Sequence, residues 1–158
     1  MKKGMVGVVA AVSGALAGAL GIGRVLGKQL SKDRDLRDKH MALFQMMIQW
    51  VKVKQSGKNL SSYFEQEGFK EIAIYGMHFA GEILAEELYG TDIDIKYGID
   101  RNADKIYADF DIVKPESELE KVDVIVVTAI TFFKEIEEML NQRVDCPVIS
   151  LEDILYLV

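Results

Sequence analysis

The fold of this chain is decided by the stretch Lys70-Glu71-Ile72-Ala73-Ile74-Tyr75-Gly76-Met77-His78-Phe79-Ala80-Gly81 and its continuation to Asp100. Residues 71–75 form a short run carrying β-branched Ile72 and Ile74, the usual composition of a buried parallel strand. Gly76–Gly81 is a glycine turn. Glu82–Leu88 is helical in pattern, with Ile83, Leu84 and Leu88 as an apolar stripe. Ile93–Asp100 reads as a second strand that ends on an acid.

Strand, glycine turn, helix, strand and terminal acid are the parts of a dinucleotide-binding βαβ unit. Asp100 lies 19 residues past Gly81, close to where a ribose-binding carboxylate belongs. The turn departs from the G-x-G-x-x-G pattern at its middle position, which is His78. Gly76 can still make the tight turn, and Gly81 still lets the helix pack closely on the strand. The middle glycine keeps a Cβ away from an approaching pyrophosphate, and His78 puts an imidazole there. Either the ligand is held differently, with the helix N-terminus and the ring meeting one phosphate, or no ligand is held.

Working towards the C-terminus, Arg101-Asn102-Ala103-Asp104 is a polar turn and Phe110–Val113 a short strand. Pro115 is expected to open a helical turn through Leu119. Val122–Thr128 reads as a central strand, Ala129-Ile130-Thr131 as the loop at its carboxyl end, and Phe132–Gln142 as a helix. Val148–Ile149 is a last strand. Ser150 and Asp153 form an N-cap and N3 pair for a helix over Leu151–Leu157. The expected fold class is α/β: a three-layer parallel sheet of about five strands, with Ile72–Tyr75 and Val122–Val127 adjacent at its centre. The carboxyl ends of such strands line the crevice where ligands sit. The candidate ligand-binding residues there are Gly76, His78, Phe79, Gly81, Asp100, Arg101, Thr128 and Thr131. Asp100 could hold ribose hydroxyls and Arg101 could stack on a base. The competing reading of Asp100 is a turn acid that caps a loop.

Several segments resemble a known family. Ile-Ala-Ile-Tyr-Gly at 72–76, Gly81, Tyr-Gly-Ile-Asp at 97–100, Val-Asp-Val-Ile-Val-Val-Thr at 122–128 and Val-Ile-Ser-Leu-Glu-Asp at 148–153 carry the likeness. They resemble the small Rossmann-like domains of bacterial surface-polysaccharide assembly proteins. Similar domains precede hexapeptide-repeat sugar acyltransferases and form the core of membrane-anchored nucleotide-sugar dehydratases and epimerases. The resemblance covers residues 69–158 and implies a nucleotide or nucleotide-sugar ligand, with NAD as a further possible cofactor. His78 is the departure from the family pattern.

Upstream, Gly4 to Gly23 is a run of 20 residues without a charge, enough for a helix to cross ~30 Å of hydrocarbon. Lys2 and Lys3 precede it. Arg24, Lys28, Lys32, Arg34, Arg37 and Lys39 follow it, which by the positive-inside rule places the C-terminal part in the cytoplasm. Two rival readings are a signal peptide cleaved near Ala15-Leu16-Ala17, giving an exported protein, and a buried glycine-rich helix in a cytoplasmic one. The basic cluster favours a retained anchor. Gly7, Ala11, Gly14 and Gly18 share one small-residue face, which suits close pairing of two copies in lipid. Met41, Phe44, Met47, Ile48 and Val51 recur at amphipathic-helix spacing and read as core, or as a face for a partner or a second copy. Leu60–Gln66 is a further short helix with Gly68 as its C-cap. The expected organisation is an anchor at 1–30, a helical connector at 31–68 and an α/β domain at 69–158.

Composition bounds the chemistry. The chain has 158 residues, 49% hydrophobic and 28% charged, which are globular values. The single cysteine, Cys146, excludes a disulfide framework, and His40 and His78 lie in separate segments. The net charge of −6 hides an asymmetry: residues 1–58 carry eleven Lys/Arg against three Asp/Glu, and residues 59–158 carry eight against 22. So acidic a globular part argues against nucleic acid as a partner, and the basic segment beside the apolar run points to a membrane surface. No Tyr is followed four residues later by Lys, and no Ser/His/Asp set, zinc cluster or P-loop lysine is present. A catalytic site would have to be shared with another chain. A binding or scaffold module is therefore the leading expectation, and a small NAD- or nucleotide-sugar-dependent enzyme subunit the alternative.

Overall fold

In the computed structural model of the protein, residues 36–158 are described. The expectations for the apolar run 4–23, its small-residue face and its cleavage site lie outside the described residues. Among the described residues no helix is long and apolar enough to cross a membrane. The described residues fall into two units. Of the smaller only 36–42 are described, and all are helical. The larger is Leu43–Val158.

The chain is α/β, with a five-stranded sheet. Its elements are α1 (36–55), α2 (Ser61–Glu67), β1 (Glu71–Tyr75), α3 (Phe79–Leu88), β2 (Asp94–Ile99), β3 (Asp111–Val113), β4 (Val124–Val127), α4 (Phe133–Leu140), β5 (Val148–Ser150) and α5 (Leu151–Leu157). Short 3-10 turns stand at Ala103–Lys105 and Ile130–Phe132. The strand order is β3-β2-β1-β4-β5, and every pairing is parallel. Ile72 to Tyr75 lie opposite Val124 to Val127, so β1 and β4 are the adjacent central strands that their apolar runs predicted.

The period-2 alternation of a strand divides the core between the two faces of the sheet. Ile72, Ile74, Val124 and Val126 pack with buried residues of α1, α2, α3 and α5. Ala73, Tyr75, Ile125 and Val127 pack on the other face with Ile136 and Leu140 of α4. A run such as Val124–Val127 is apolar throughout because both its faces are covered. At the amino ends of the strands Asp123 ties β4 to β1. Its Oδ2 accepts the N–H of Lys70 and of Glu71, each at 2.8 Å. These backbone donors hold its carboxyl below the ordinary 3.8. A depressed folded-state pKa stabilises the fold above 3.8, and the contribution is lost as the pH falls through the lowered value. Asp123→Ala is expected to lower the melting temperature by about 2–4 °C at pH 7. The gap to wild type should narrow as the melts are taken progressively below pH 3.8.

The helices ahead of the sheet belong to its core. Leu60 and Phe64 of the α2 region are fully buried, and Met46, Trp50 and Val53 of α1 join them. Glu87 of α3 fastens the three helices together. It accepts from the Trp50 indole at 2.6 Å, from Lys54 Nζ at 3.2 Å and from the Leu60 N–H at 2.9 Å. Gly68 closes α2 in the left-handed conformation expected of a C-cap, with φ 77°.

Three local expectations are corrected. The stripe read as core on α1 is mostly on the outside: Met41, Phe44, Ile48 and Val51 are exposed and Met47 is half-buried. The packed stripe is Met46, Trp50 and Val53, two residues out of phase. Pro115 opens no helix. Residues 114–121 are an irregular linker, held by the Arg143 guanidinium on the carbonyls of Pro115 and Ser117 and by the Tyr97 hydroxyl, which donates to Glu120 O at 2.7 Å. Burial, with Cys146 and Glu120 nearby, pushes that hydroxyl up to about 12, so it keeps its proton. Ser150 does cap α5, but by accepting the Glu152 N–H at 3.2 Å rather than through a pair with Asp153.

Candidate functional site

The carboxyl ends of β1, β2 and β4 meet at Gly76. The order β3-β2-β1 on one side and β4-β5 on the other makes this the point where the sheet's connections reverse direction, the position where ligands sit in open parallel sheets. Gly76 leaves β1 with φ 94°, a conformation side chains rarely adopt. A Cβ there would also lie 2.7 Å from Thr128 Oγ1. Its N–H donates to Ile99 O of β2 at 2.8 Å, and its carbonyl accepts from the Thr128 hydroxyl. The turn is thus clamped between the strands on both sides of it.

Gly81 plays the part that its place in the pattern predicts. A Cβ on Gly81 would stand 2.3 Å from the Gly76 carbonyl oxygen, so only glycine allows α3 to lie this close to the end of β1. The N-cap of α3 is His78, which makes no side-chain capping bond. The first intrahelical bond runs from Glu82 N–H to His78 O at 3.0 Å. The N–H groups of Phe79, Ala80 and Gly81 therefore find no acceptor among the described residues, as a helix start requires. The His78 and Phe79 side chains are exposed, their rings edge to face with centroids 4.1 Å apart.

Asp100 closes the turn from the β2 side. Its Oδ2 accepts the Met77 N–H at 3.0 Å, and its Oδ1 accepts the Asn102 N–H at 2.8 Å. The acid at the end of β2 thus fixes two loops. Arg101 is exposed and lies beside the Tyr75 hydroxyl. Burial pushes that hydroxyl up, and the nearby guanidinium partly offsets the push. Thr128 is buried, donating to the carbonyls of Tyr75, at 3.2 Å, and Gly76. Thr131, in the 3-10 turn after β4, is half-buried. The structure therefore ties Gly76, Asp100 and Thr128 into one hydrogen-bonded knot, against which Gly81 packs closely. It sets His78 and Phe79 on its outer side and Arg101 beside Tyr75.

Two members of the knot were not picked out from the sequence. Met77 is buried at the turn, and Gly98 of β2 faces it: a Cβ on Gly98 would meet Met77 Cγ at 2.7 Å and Ile112 Cδ1 at 2.6 Å. A glycine inside a strand is the sign of such a close approach, so Gly98 was the available clue and Met77 follows from it. Chemically, the site offers free backbone donors and the positive end of a helix dipole. It has no paired acid and base and no activated nucleophile, and the described residues contain no cluster of three or more metal-ligating side chains. No family model, curated protein or solved structure matches this chain.

Proposed function

We propose that the chain is a Rossmann-like binding module that holds a phosphate-bearing ligand, a nucleotide or nucleotide sugar, at the start of α3. It is tethered to the membrane through residues 4–23 and serves cell-surface glycan assembly. The observation that carries the ligand reading is the Gly76–Gly81 turn. It is clamped at the reversal point of the sheet and presents the unbonded N–H groups of Phe79, Ala80 and Gly81. Such a terminus is worth ~0.3–1 kcal/mol to an exposed anion. The resemblance of 69–158 to polysaccharide-assembly domains supplies the ligand class, and the apolar run flanked by basic residues supplies the tether. His78 places a Cβ and an imidazole where a pyrophosphate would approach, so the ligand meets the turn through one phosphate and is held weakly.

A second reading is favoured by Asp100 and Thr128. These two polar side chains of the crevice are already bonded to the protein's own backbone, as they would be in a scaffold that keeps the fold and has lost the nucleotide. Calorimetric titration of the full chain with NAD and with a UDP-sugar separates the two. Weak binding by wild type and about tenfold tighter binding by His78→Gly, a gain of about 1.4 kcal/mol, is the expected result. If neither protein binds either ligand, the nucleotide reading fails and the scaffold reading stands.

A further inference from the structure

On the face of the sheet that α3 covers, the β2–β3 side has no helix of its own among the described residues. Parallel neighbours are usually joined through a helix that packs on the sheet. Here the connection over residues 100–110 holds only the 3-10 turn Ala103–Lys105. A groove of about 600 Å³ is left between α3 and this connection. Leu88 and Ile93, both buried, and half-buried Ile95, Ile106 and Phe110 form its apolar floor. Tyr89 and Tyr107 stand on its rim, 84% and 98% exposed.

The charged residues that line the groove have one sign. Glu82, Glu86, Asp94 and Asp109 line it, and no Lys or Arg does. Asp94 is paired with Lys96 at 3.4 Å. The other three carboxylates have no ion pair among the described residues. A small-molecule site would have a few inward-aimed polar groups to orient its ligand. Here the polar groups are carboxylates around an apolar floor. A strand added to the sheet edge is the poorer fit, because β3 is three residues long and offers little ladder.

We infer that this groove is the seat of a positively charged amphipathic helix from a partner protein. The helix lays its apolar face on the Leu88–Ile93–Phe110 floor and sets Lys or Arg side chains against Glu82, Glu86 and Asp109. This is helix-in-groove recognition, with tyrosines on the rim as the aromatic contacts common in interfaces. The partner helix supplies the cover that the β2–β3 connection leaves out. The inference stands apart from the nucleotide reading, since the groove shares only the buried Met77 with the Gly76–Gly81 turn and does not use the N-terminal N–H groups of α3.

The test uses the full chain in zwitterionic detergent at 150 mM salt, with a protein-free blank. The probe is a fluorescein-labelled 18-residue peptide of Leu and Lys at amphipathic helical spacing, read by anisotropy. Its partner is the same peptide with Glu in place of Lys. The Lys peptide should bind and the Glu peptide should not. Tyr107→Ala, at an almost fully exposed position, should weaken binding several-fold with no change of charge. Glu82→Lys with Glu86→Lys should weaken it at least tenfold. Glu135→Lys with Glu138→Lys, the same charge change on α4 across the sheet, should stay within twofold of wild type. Circular dichroism melts confirm that each variant is folded. Equal loss in the α4 pair would show attraction to general acidity and overturn the proposal. So would binding of the Glu peptide, failure of the Lys peptide to bind, or a Tyr107→Ala variant indistinguishable from wild type.

Discussion

Gly81→Ala is expected to destabilise the protein by about 3 kcal/mol, the upper part of the usual range for overpacking. The melting temperature should fall by about 10 °C for a chain of this size. The sign is what makes the experiment informative. In an exposed helix interior, glycine to alanine gains about 0.5–1 kcal/mol. Here the added methyl would stand 2.3 Å from the Gly76 carbonyl oxygen, and that oxygen cannot retreat. Its residue donates to Ile99 O on one side and accepts from Thr128 on the other. Relief must come from α3 lifting off β1, which opens the packing of buried Leu84 and Leu88. Urea unfolding followed by circular dichroism gives the answer. A midpoint equal to or above wild type would mean that the helix does not approach the strand this closely.

Phe64→Ala should cost about 3–5 kcal/mol, the range for truncating a fully buried aromatic. That is a large share of the stability of a typical domain. Phe64 has no exposed surface, lies in the core beside Met46, Trp50 and Leu60, and meets the Tyr63 ring edge-on with centroids 5.5 Å apart. Phe44→Ala, at a position 61% exposed on α1, should change stability by no more than about 0.5 kcal/mol. Denaturant melts of the two variants side by side test whether α2 is part of the folded body. Were 31–68 only a connector, both substitutions would be mild. Were the Phe44 stripe the packed one, Phe44→Ala would be the damaging change.

The contrast between those two phenylalanines shows where sequence stops deciding. Phe44, Ile48 and Val51 fall at i, i+4 and i+7, and so do Met46, Trp50 and Val53. Both sets satisfy helical spacing, so periodicity alone cannot say which face meets the sheet. Burial of Met46, Trp50 and Val53 against Leu60 and Phe64 settled it, with Glu87 accepting from the Trp50 indole as a further tie. Pro115 likewise has a backbone suited to the first turn of a helix. The segment is instead an open linker, held among other bonds by Arg143, 28 residues later in the chain, whose guanidinium takes the Pro115 carbonyl.

By itself the sequence determined the α/β class, the pairing of β1 with β4 and the turn between β1 and α3. It could do so because these are local or steric matters. A strand covered on both faces must be apolar along its whole length, as Ile72–Tyr75 and Val124–Val127 are. Glycine is the residue for a left-handed turn at 76 and for contact with a carbonyl at 81. The turn-capping reading of Asp100 was legible too, and its bond from the Asn102 N–H bears it out; tertiary structure decided what else the polar residues of the crevice do. Asp100 and Thr128 carry the right chemistry to meet a ligand, but a carboxylate or hydroxyl bonds whatever donor or acceptor the fold brings within about 3 Å. The fold brought the Met77 N–H to Asp100 and the Gly76 carbonyl to Thr128. The groove beside α3 is tertiary in the same way: residues from α3, β2 and the 100–110 connection have no common register in the sequence, and only the missing crossover helix puts them around one space.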